Sequence, residues 1–291
     1  MDSNVISLSA VDLGIASLLV VVLAVLTWKH SVSRSLLVSA VRMVIQLLLI
    51  GLVLDTLFDL ATWYWVLLMA VVMLLFAGRE VTTRQKRRFR GFWGMSIGAM
   101  SLMVTTFAIT TLTLTIVIQA DPWYMPQYAI PLLGMILGNS MTAVALTVNN
   151  ITSGAWQRRQ EIEARLMLGH SADQAIARVR TESLHTGLIP IINAMAASGI
   201  VSLPGMMTGQ ILAGNPPIEA VKYQILIMFL IAGTCGFSAL VAVWLGTRRL
   251  FDQRDRLRLD RALLIRMAVT VDERPGGEPQ HGLRRVVHLR T

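Results

Sequence analysis

Residues 221–245 read VKYQILIMFLIAGTCGFSALVAVWL, and within them only Lys222, near the beginning, carries a charge. A transmembrane α-helix needs about 20 consecutive, mostly apolar residues. This stretch therefore predicts a membrane-spanning helix. The whole chain points the same way, because 54% of its 291 residues are hydrophobic and only 15% are charged. Soluble domains carry about 25% charged residues, and disordered chains are poor in hydrophobic residues, so the composition excludes both classes.

Seven stretches are apolar enough to span a membrane, or nearly so. In chain order they are approximately 8–28, 36–57, 63–77, 94–118, 129–148, a stretch that begins near residue 188, and 221–245. The sixth is interrupted at Leu203, Pro204 and Gly205. Asp2 and Asp12 stand where a cleavable signal peptide needs positive charge, so the first span is expected to be retained. The sequence predicts an all-α integral membrane protein with about seven transmembrane helices, one of them broken by proline and glycine.

The basic residues predict how these spans are oriented. Of the 26 lysines and arginines, 24 fall in the four segments that follow spans one, three, five and seven. Lysine and arginine accumulate in cytoplasmic loops. We therefore expect a multi-pass cell-membrane protein with the N-terminus outside and the C-terminus in the cytoplasm. The net charge of +9 is then mainly a signature of topology, and nucleic acid is not expected as a partner.

The longest loop between spans, about 150–186, is predicted to form two short cytoplasmic helices. Residues 157–169, QRRQEIEARLMLG, are mainly good helix formers and end on Gly169, a common helix stop. A second helix is expected from Ser171, a favourable N-cap residue. Glu161, Glu163 and Ala164 lie on the first helix. By itself this pattern also fits a solvated loop helix that ends at glycine.

The sixth stretch carries two prolines and four glycines between residues 189 and 214. Interrupted backbone at membrane depth is tolerated where it lines a cavity or is buried in protein, and broken helices often mark a transport path. A kinked helix or a re-entrant packing element also fits the pattern, and methionine usually packs in cores. The residues expected to line such a path are Asn139, Asn193, Pro204, Met206, Met207 and Gln210.

Span five carries a pair of glycines, Gly134 and Gly138, whose small-xxx-small spacing permits close helix packing within the subunit or across a dimer. Arg42, about two turns from the cytoplasmic end of span two, is expected to anchor that helix at the interface. All five histidines fall in predicted cytoplasmic segments, and no carboxylate lies at the centre of a predicted span. The sequence therefore shows no tight intramembrane cage of histidines and carboxylates, and no residue is assigned as a metal ligand.

Four segments of the chain resemble one family of transporters. They are LGMILGNSM (133–141), LPGMMTGQILAG (203–214), AVKYQI (220–225) and MFLIA (228–232). These segments are similar to the Fet-type iron-export ABC transporter permeases, which have plant relatives among the aluminium-tolerance membrane proteins. The resemblance implies a complex of two permeases and two ATPases in a bacterial inner membrane.

A second resemblance lies in the cytoplasmic loop. Glu163-Ala164 followed by Gly169 resembles the E-A-A-x-x-x-G loop by which ABC permeases dock onto their ATPase subunits. It implies that the loop 150–186 is the docking loop, with Glu161, Glu163, Ala164 and Gly169 as its coupling residues. Pro190 lies 21 residues after Gly169, much farther than the corresponding proline of importers. The coupling geometry of importers is therefore not transferred.

The chain contains no G-x-x-x-x-G-K-[ST] phosphate loop. We therefore expect a transport subunit and not an enzyme, with no cofactor of its own and with ATP and Mg bound by the partner ATPase. The predicted function is that of a permease subunit of an ABC exporter that moves iron or a related metal out of the cytoplasm. The alternative is a seven-span secondary transporter or receptor that works without an ATPase.

The chain is predicted to divide into a permease domain, 1–247, and a basic cytoplasmic tail, 248–291. Leu250, Leu257, Leu264 and Val271 recur at every seventh position among arginines. This spacing predicts an amphipathic helix that continues span seven or lies on anionic lipid. From Asp272 onward, prolines and glycines predict a flexible end.

Overall fold

The computed structural model of the chain describes residues 10–26, 32–60, 62–85, 87–89, 93–119, 121–252, 254–259 and 262–264. Within these ranges the chain is almost entirely helical. The elements are α1 (Ala10–Leu26), α2 (Val32–Leu60), α3 (Trp63–Thr83), β1 (Arg87–Phe89), α4 (Trp93–Leu112) with a π-helical end (Thr113–Ile118), α5 (Pro126–Gln157), α6 (Arg159–Met167), α7 (Ala172–Ala175), α8 (Ala177–Ala197), α9 (Gly205–Leu212), α10 (Pro217–Leu250) and β2 (Ala262–Leu264).

Five helical segments in the described residues are long and apolar enough to cross a membrane. They are Leu36–Phe58, Trp63–Thr83, Trp93–Ile118, Pro126–Gln157 and Pro217–Leu250. These five coincide with the second, third, fourth, fifth and seventh predicted spans. The first span corresponds to α1, which has 17 described residues. The sixth is divided between α8 and α9, so the count of seven spans remains a prediction.

The break in the sixth span lies close to where the sequence predicts it. α8 ends at Ala197, a non-helical link follows, and Pro204 precedes the first residue of α9 in an extended conformation. Pro190 is accommodated inside α8. Gly214, with a φ of +90°, then turns the chain back toward α10, whose N-cap is Pro216. Since proline suits the first positions of a helix and glycine suits positive φ, the residues that interrupt the span also define the ends of α9 and the beginning of α10.

α5 is the central helix of the bundle and contributes buried side chains to two apolar clusters. One cluster joins α5 to Phe89, Ile162, Ile176 and Phe251, that is, to β1, α6, the α7–α8 junction and the tail. The other gathers residues from the opposite end of α5 with parts of α2, α3, α8 and α10. The segments that carry most of the arginines therefore meet at one end of the molecule.

Close approaches between helices occur at glycines other than the predicted pair. A Cβ on Gly98 would lie 2.9 Å from a methyl carbon of Val81, and one on Gly187 would lie 2.9 Å from the carbonyl oxygen of Ala143. At Gly138 no described atom lies within 4 Å of such a Cβ, and at Gly134 only the terminal methyl of Met73 does, at 3.3 Å. Tight packing within the chain therefore involves Gly98 and Gly187, whereas the Gly134–Gly138 face is open.

Hydroxyl side chains fill much of the interface between α4 and α10. Ser101 donates to the carbonyl of Ile97 at 2.6 Å, and Thr234 donates to that of Leu230 at 2.7 Å. Thr105 and Ser238 form a hydrogen bond between the two helices. Such bonds to the preceding helical turn satisfy these hydroxyls inside the bundle, whereas the buried hydroxyls of Thr106 and Thr110 have no hydrogen-bond partner among the described residues.

The chain turns back after α10 instead of continuing as a helix. The backbone N–H of Arg258 donates to the carbonyl of Leu250 at 2.7 Å, and Phe251 pairs with Leu257 in an antiparallel bridge. β2 then pairs antiparallel with β1. The prediction of an amphipathic helix is therefore wrong for the described part of 251–264. Phe251 is buried and Asp255 has a positive φ, and both residues belong to a turn. The end from residue 272, predicted to be flexible, lies outside the described residues.

Candidate functional site

A cavity of about 500 Å³ lies where the N-terminal ends of α5 and α10 meet α9 and the end of the π-helical segment. Its apolar wall includes Met135 and Ile227. Its polar groups come from α5, α9, α10 and the link between α9 and α10. The polar lining consists of Gln127, Tyr128, Gln210, Asn215, Glu219 and Tyr223. The cavity thus combines thioether, amide, phenol and carboxylate groups in one place.

Two of the six expected path residues line this cavity, namely Met206 and Gln210. Pro204 and Met207 belong to the same short segment, at the N-cap and inside α9. Asn139 and Asn193 lie elsewhere, on exposed positions of α5 and α8. The side chain of Asn139 donates to the carbonyl of Met135 at 2.8 Å. The structure therefore brings together the α9 part of the predicted path and leaves both asparagines outside it.

Sequence reasoning missed the charged group of the cavity. Glu219, in the first turn of α10, accepts a hydrogen bond from Lys222 at 2.7 Å. Nearby on α10, Gln224 is buried, and its Oε1 has no hydrogen-bond partner in the part of the chain that is described. A signal was present, since Glu219 follows two prolines at the start of an apolar helix. In the described residues, no group of three or more His, Cys, Asp and Glu side chains forms a metal cluster.

The second candidate region is α6, at the other end of α5. Gly169 follows the helix with a φ of +89°, which glycine adopts without strain. Glu161 pairs with Arg165 at 2.8 Å, while Glu163 and Ala164 are exposed. The most unusual feature was not predicted: Met167 and Leu168, just before the glycine, are 83% and 79% exposed. They form an apolar pair outside the bundle, next to the exposed Glu163.

Several interactions fix α6 and its neighbours in place. Ile162 of α6 is fully buried in the apolar cluster. Ser171 caps α7 and forms a capping box with Gln174, as the sequence predicts for a helix that begins there. On the other side of the loop, Arg180 pairs with Asp173 at 2.9 Å. The exposed pair is therefore held on an ordered support.

Glu182 of α8 pairs with Arg158, at the junction of α5 and α6, and with Arg178 of α8 itself. Burial acts to raise the pKa of Glu182, but the hydrogen bonds and charges of Arg158 and Arg178 outweigh it and hold the pKa below its ordinary value. The carboxylate is therefore ionised at neutral pH. In that form it links the α5–α6 junction to α8.

Comparison with known proteins places this architecture in a family. The family model described as Uncharacterised protein family (UPF0014) matches residues 10–251, so the match ends just after α10. A UPF0014 membrane protein of Synechocystis sp. is 38% identical over 263 residues, covering 88% of this chain and 99% of that protein. No solved structure matches the chain at a significant level.

Two further relatives have names that refer to metals. The probable iron export permease protein FetB of Escherichia coli is 33% identical, covering 84% of this chain and 93% of its own length. The protein ALUMINUM SENSITIVE 3 of Arabidopsis thaliana is 30% identical, covering 79% and 83%. The resemblance to Fet-type permeases and their plant relatives is thus confirmed. The chain is a multi-pass membrane protein that belongs to the UPF0014 family.

Proposed function

We propose that the chain is the permease subunit of an ABC exporter that moves iron or a related metal out of the cytoplasm, driven by a separate ATPase. The observation that carries this proposal is the exposed Met167–Leu168 pair at the end of α6. A relative with 33% identity is named a probable iron export permease, which supports the choice of cargo. In this proposal ATP and Mg bind to the ATPase, and the permease contributes no cofactor.

The C-terminal end of α6 carries the kinds of side chain that are expected on a docking surface. Exposed apolar side chains next to charged ones are typical of the helices that bind in a groove of a partner. Met167 and Leu168 would enter such a groove, and Glu163 would pair with a basic residue at its rim. The buried Ile162 and the turn at Gly169 hold the pair in one orientation, so a partner that moves α6 would also move the ends of α5 and α8.

The proposal assigns seven spans, with the N-terminus outside and the C-terminus in the cytoplasm. α8 and α9 together form the sixth span. The support is that β1, α6, α7 and the described part of the tail, which lie in three of the four basic segments, share one apolar cluster. Positive charge is retained on the cytoplasmic side, and that side is then the one to which an ATPase has access.

The cavity beside α9 is proposed as the outer opening of the transport path. It is lined by Gln127 of α5, and α5 continues from there to Gln157, next to α6. These 30 residues correspond to about 45 Å of helix, so the cavity and the docking surface lie on opposite sides of a bilayer. Thioether and amide groups with a single carboxylate, Glu219, bind a metal weakly, and an exporter must release its cargo at this side. Two permeases and two ATPases would form the complete transporter.

Docking is tested by co-purification of the full-length chain with candidate ATPases after joint expression. The variant is Met167→Ser with Leu168→Ser, which removes the exposed apolar pair. The matched control is Ile200→Ser with Val201→Ser, an adjacent pair that is 89% and 82% exposed but lies after α8, at the other end of the molecule. We expect the first variant to lose the ATPase and the control to retain it, with both inserted in the membrane.

Two further substitutions test coupling separately from docking. Glu163→Ala and Gly169→Val are expected to leave the protein inserted but to uncouple ATP hydrolysis from transport. Retention of the ATPase by the Met167→Ser, Leu168→Ser variant would contradict the assignment of the docking surface. Unaltered coupling in the Glu163 and Gly169 variants would contradict their proposed role.

A further inference from the structure

α2 diverges from the bundle along its length. Near its C-terminal end, Val53, Leu54 and Leu57 pack on the second apolar cluster. In its N-terminal half, every side chain from Val41 to Leu49 is exposed. α2 therefore leaves α3 and α5 at an angle, and a groove of about 640 Å³ lies between the three helices.

The groove has an apolar interior with an open floor. Its walls include Ile50, Met69 and Phe76, and its floor is formed by Gly134 and Gly138 of α5. No described atom lies within 4 Å of where a Cβ on Gly138 would stand. The two glycines are one helical turn apart, about 6 Å along the axis. At these two positions the central helix therefore presents bare backbone to the groove, with only the terminal methyl of Met73 nearby, 3.3 Å from where a Cβ on Gly134 would stand.

The groove is closed at one end by charged side chains. Arg42, Arg79 and Glu80 all line it at this end. The carboxylate of Glu80 is shared, since it lies 3.9 Å from the guanidinium of Arg42 and 3.3 Å from that of Arg84. Arg79 has no ion-pair partner among the side chains described here. The charged end of the groove is therefore positive overall and keeps capacity to bind an anion.

These charges lie at the depth of lipid headgroups. Arg42 is six residues into the span Leu36–Phe58, about 9 Å along a helix and within reach of the interface for a long side chain. Arg79 and Glu80 are in the last turn and a half of α3, which ends at Thr83. All three thus stand near the side of the membrane from which the basic loop after α3 emerges.

We infer that this groove binds an anionic phospholipid, with an acyl chain along the Gly134–Gly138 floor and the phosphate between Arg42 and Arg79. Basic pockets between transmembrane helices on the cytoplasmic side suit anionic headgroups, and arginine binds phosphate through paired, charge-assisted hydrogen bonds. The inference does not rest on the proposed transport function.

A second copy of the chain fits the groove less well than a lipid does. In the five described membrane-length helices the carboxylates are Asp55, Glu80 and Glu219. Asp55 and Glu219 lie at the end of the bundle remote from Arg42, and Glu80 is already in the groove. The membrane-length helices of another copy therefore offer no new carboxylate at the depth of the arginines, whereas a phospholipid carries its negative charge there together with an apolar chain.

The test is native mass spectrometry of the purified full-length chain with added phosphatidylglycerol or phosphatidylcholine. A positive side chain near the membrane surface contributes about 1 kcal/mol to binding an anionic lipid. Arg42→Gln and Arg79→Gln are therefore each expected to weaken phosphatidylglycerol binding about fivefold and to leave phosphatidylcholine unchanged. Arg159→Gln is the charge-matched control, because Arg159 is exposed on α6, away from the groove.

A second pair of variants tests the floor. Gly138→Leu fills the open space and is expected to weaken the binding of both lipids, while Gly51→Leu, on an exposed position of α2, is expected to leave it unchanged. Equal phosphatidylglycerol binding by the wild type and both arginine variants would overturn the inference. The inference would also be overturned if the Gly138→Leu protein bound lipid normally but lost a dimer that the wild type forms, because the groove would then be an interface between copies. Should Arg42→Gln fail to insert, Arg79→Gln and Gly138→Leu still decide the question.

Discussion

Arg158 donates a hydrogen bond through Nη2 to Oε1 of Glu182 at 2.9 Å, and this bond joins the junction between α5 and α6 to α8. Arg178 donates to the same carboxylate at 3.2 Å. The three residues therefore connect the central helix and the proposed docking helix to α8, the first part of the broken span. A movement of α6 would therefore be transmitted to α8 through these three side chains.

The cluster predicts a defined pH dependence for Glu182→Gln. Because the pKa of Glu182 is below its ordinary value in the folded protein, the carboxylate stabilises the fold at and above the ordinary glutamate pKa of about 4.3. That stabilisation is lost as the pH falls through the lowered pKa. We expect the wild type to have a slightly higher Tm than Glu182→Gln at neutral pH, and the difference to close on acidification.

The measurement is thermal unfolding of both proteins, followed by tryptophan fluorescence in detergent across a range of pH. Glu163→Gln is the control, since Glu163 is exposed on the neighbouring helix and should give no such pH-dependent difference. A Tm difference that stays constant down to acid pH would show that the ionised carboxylate of Glu182 is not the cause.

Gly187→Ala is predicted to destabilise the protein. The added methyl would lie 2.9 Å from the carbonyl oxygen of Ala143 and would overlap the hydroxyl of Thr147. Overpacking of this kind costs about 1–3 kcal/mol. Gly138→Ala, which has open space around it, should be neutral or slightly stabilising, because glycine is a poor residue inside a helix.

Thermal unfolding of the two variants checks this prediction. Thr147→Ala in the Gly187→Ala background should recover part of the lost stability, because it removes the hydroxyl from the overlap. Equal melting temperatures for Gly187→Ala and Gly138→Ala would contradict the close packing of α5 and α8.

Gln210→Leu is predicted to reduce transport several-fold without reducing ATPase binding, because Gln210 lines the cavity beside α9 while α6 is at the other end of α5. Asn193→Leu should have a smaller effect, since Asn193 is on an exposed position outside that cavity. Metal efflux from cells that express each variant at equal membrane abundance is the measurement. A larger loss for Asn193→Leu would move the transport path to α8.

Phe251→Ala is predicted to destabilise the end of the molecule that carries α6. Phe251 is buried where the chain turns after α10, and removing a buried phenylalanine side chain costs about 3–5 kcal/mol. Limited proteolysis and thermal unfolding should both detect the change. Leu212→Ala, at an exposed position on α9, is the control and should behave like the wild type.

The sequence predicted those features that depend on composition along one helix. Five membrane-length helices, the break near Pro204 and the capped turn at Ser171 all follow from local apolar length, proline or N-cap chemistry. The helix predicted for the tail was wrong in the described part of 251–264, because a seven-residue spacing of apolar residues says nothing about a partner strand. Pairing of β2 with β1, more than 170 residues earlier in the chain, decided the conformation there.

The candidate site was predictable only in part, for a related reason. Met206 and Gln210 were found because they lie on the broken segment itself. Glu219 was missed, since its position in the cavity depends on how α9 folds back on α10. In the same way, Gly134 and Gly138 have the spacing of a packing motif, but the divergence of α2 leaves that face open.

The central claim is that a partner ATPase drives metal export through this chain, and the most direct measurement is metal uptake into inverted membrane vesicles that contain both proteins. We predict uptake of iron that requires hydrolysable ATP and that is lost when Met167→Ser and Leu168→Ser are introduced together. Uptake that proceeds without ATP and follows an ion gradient would contradict the claim and would favour a secondary transporter.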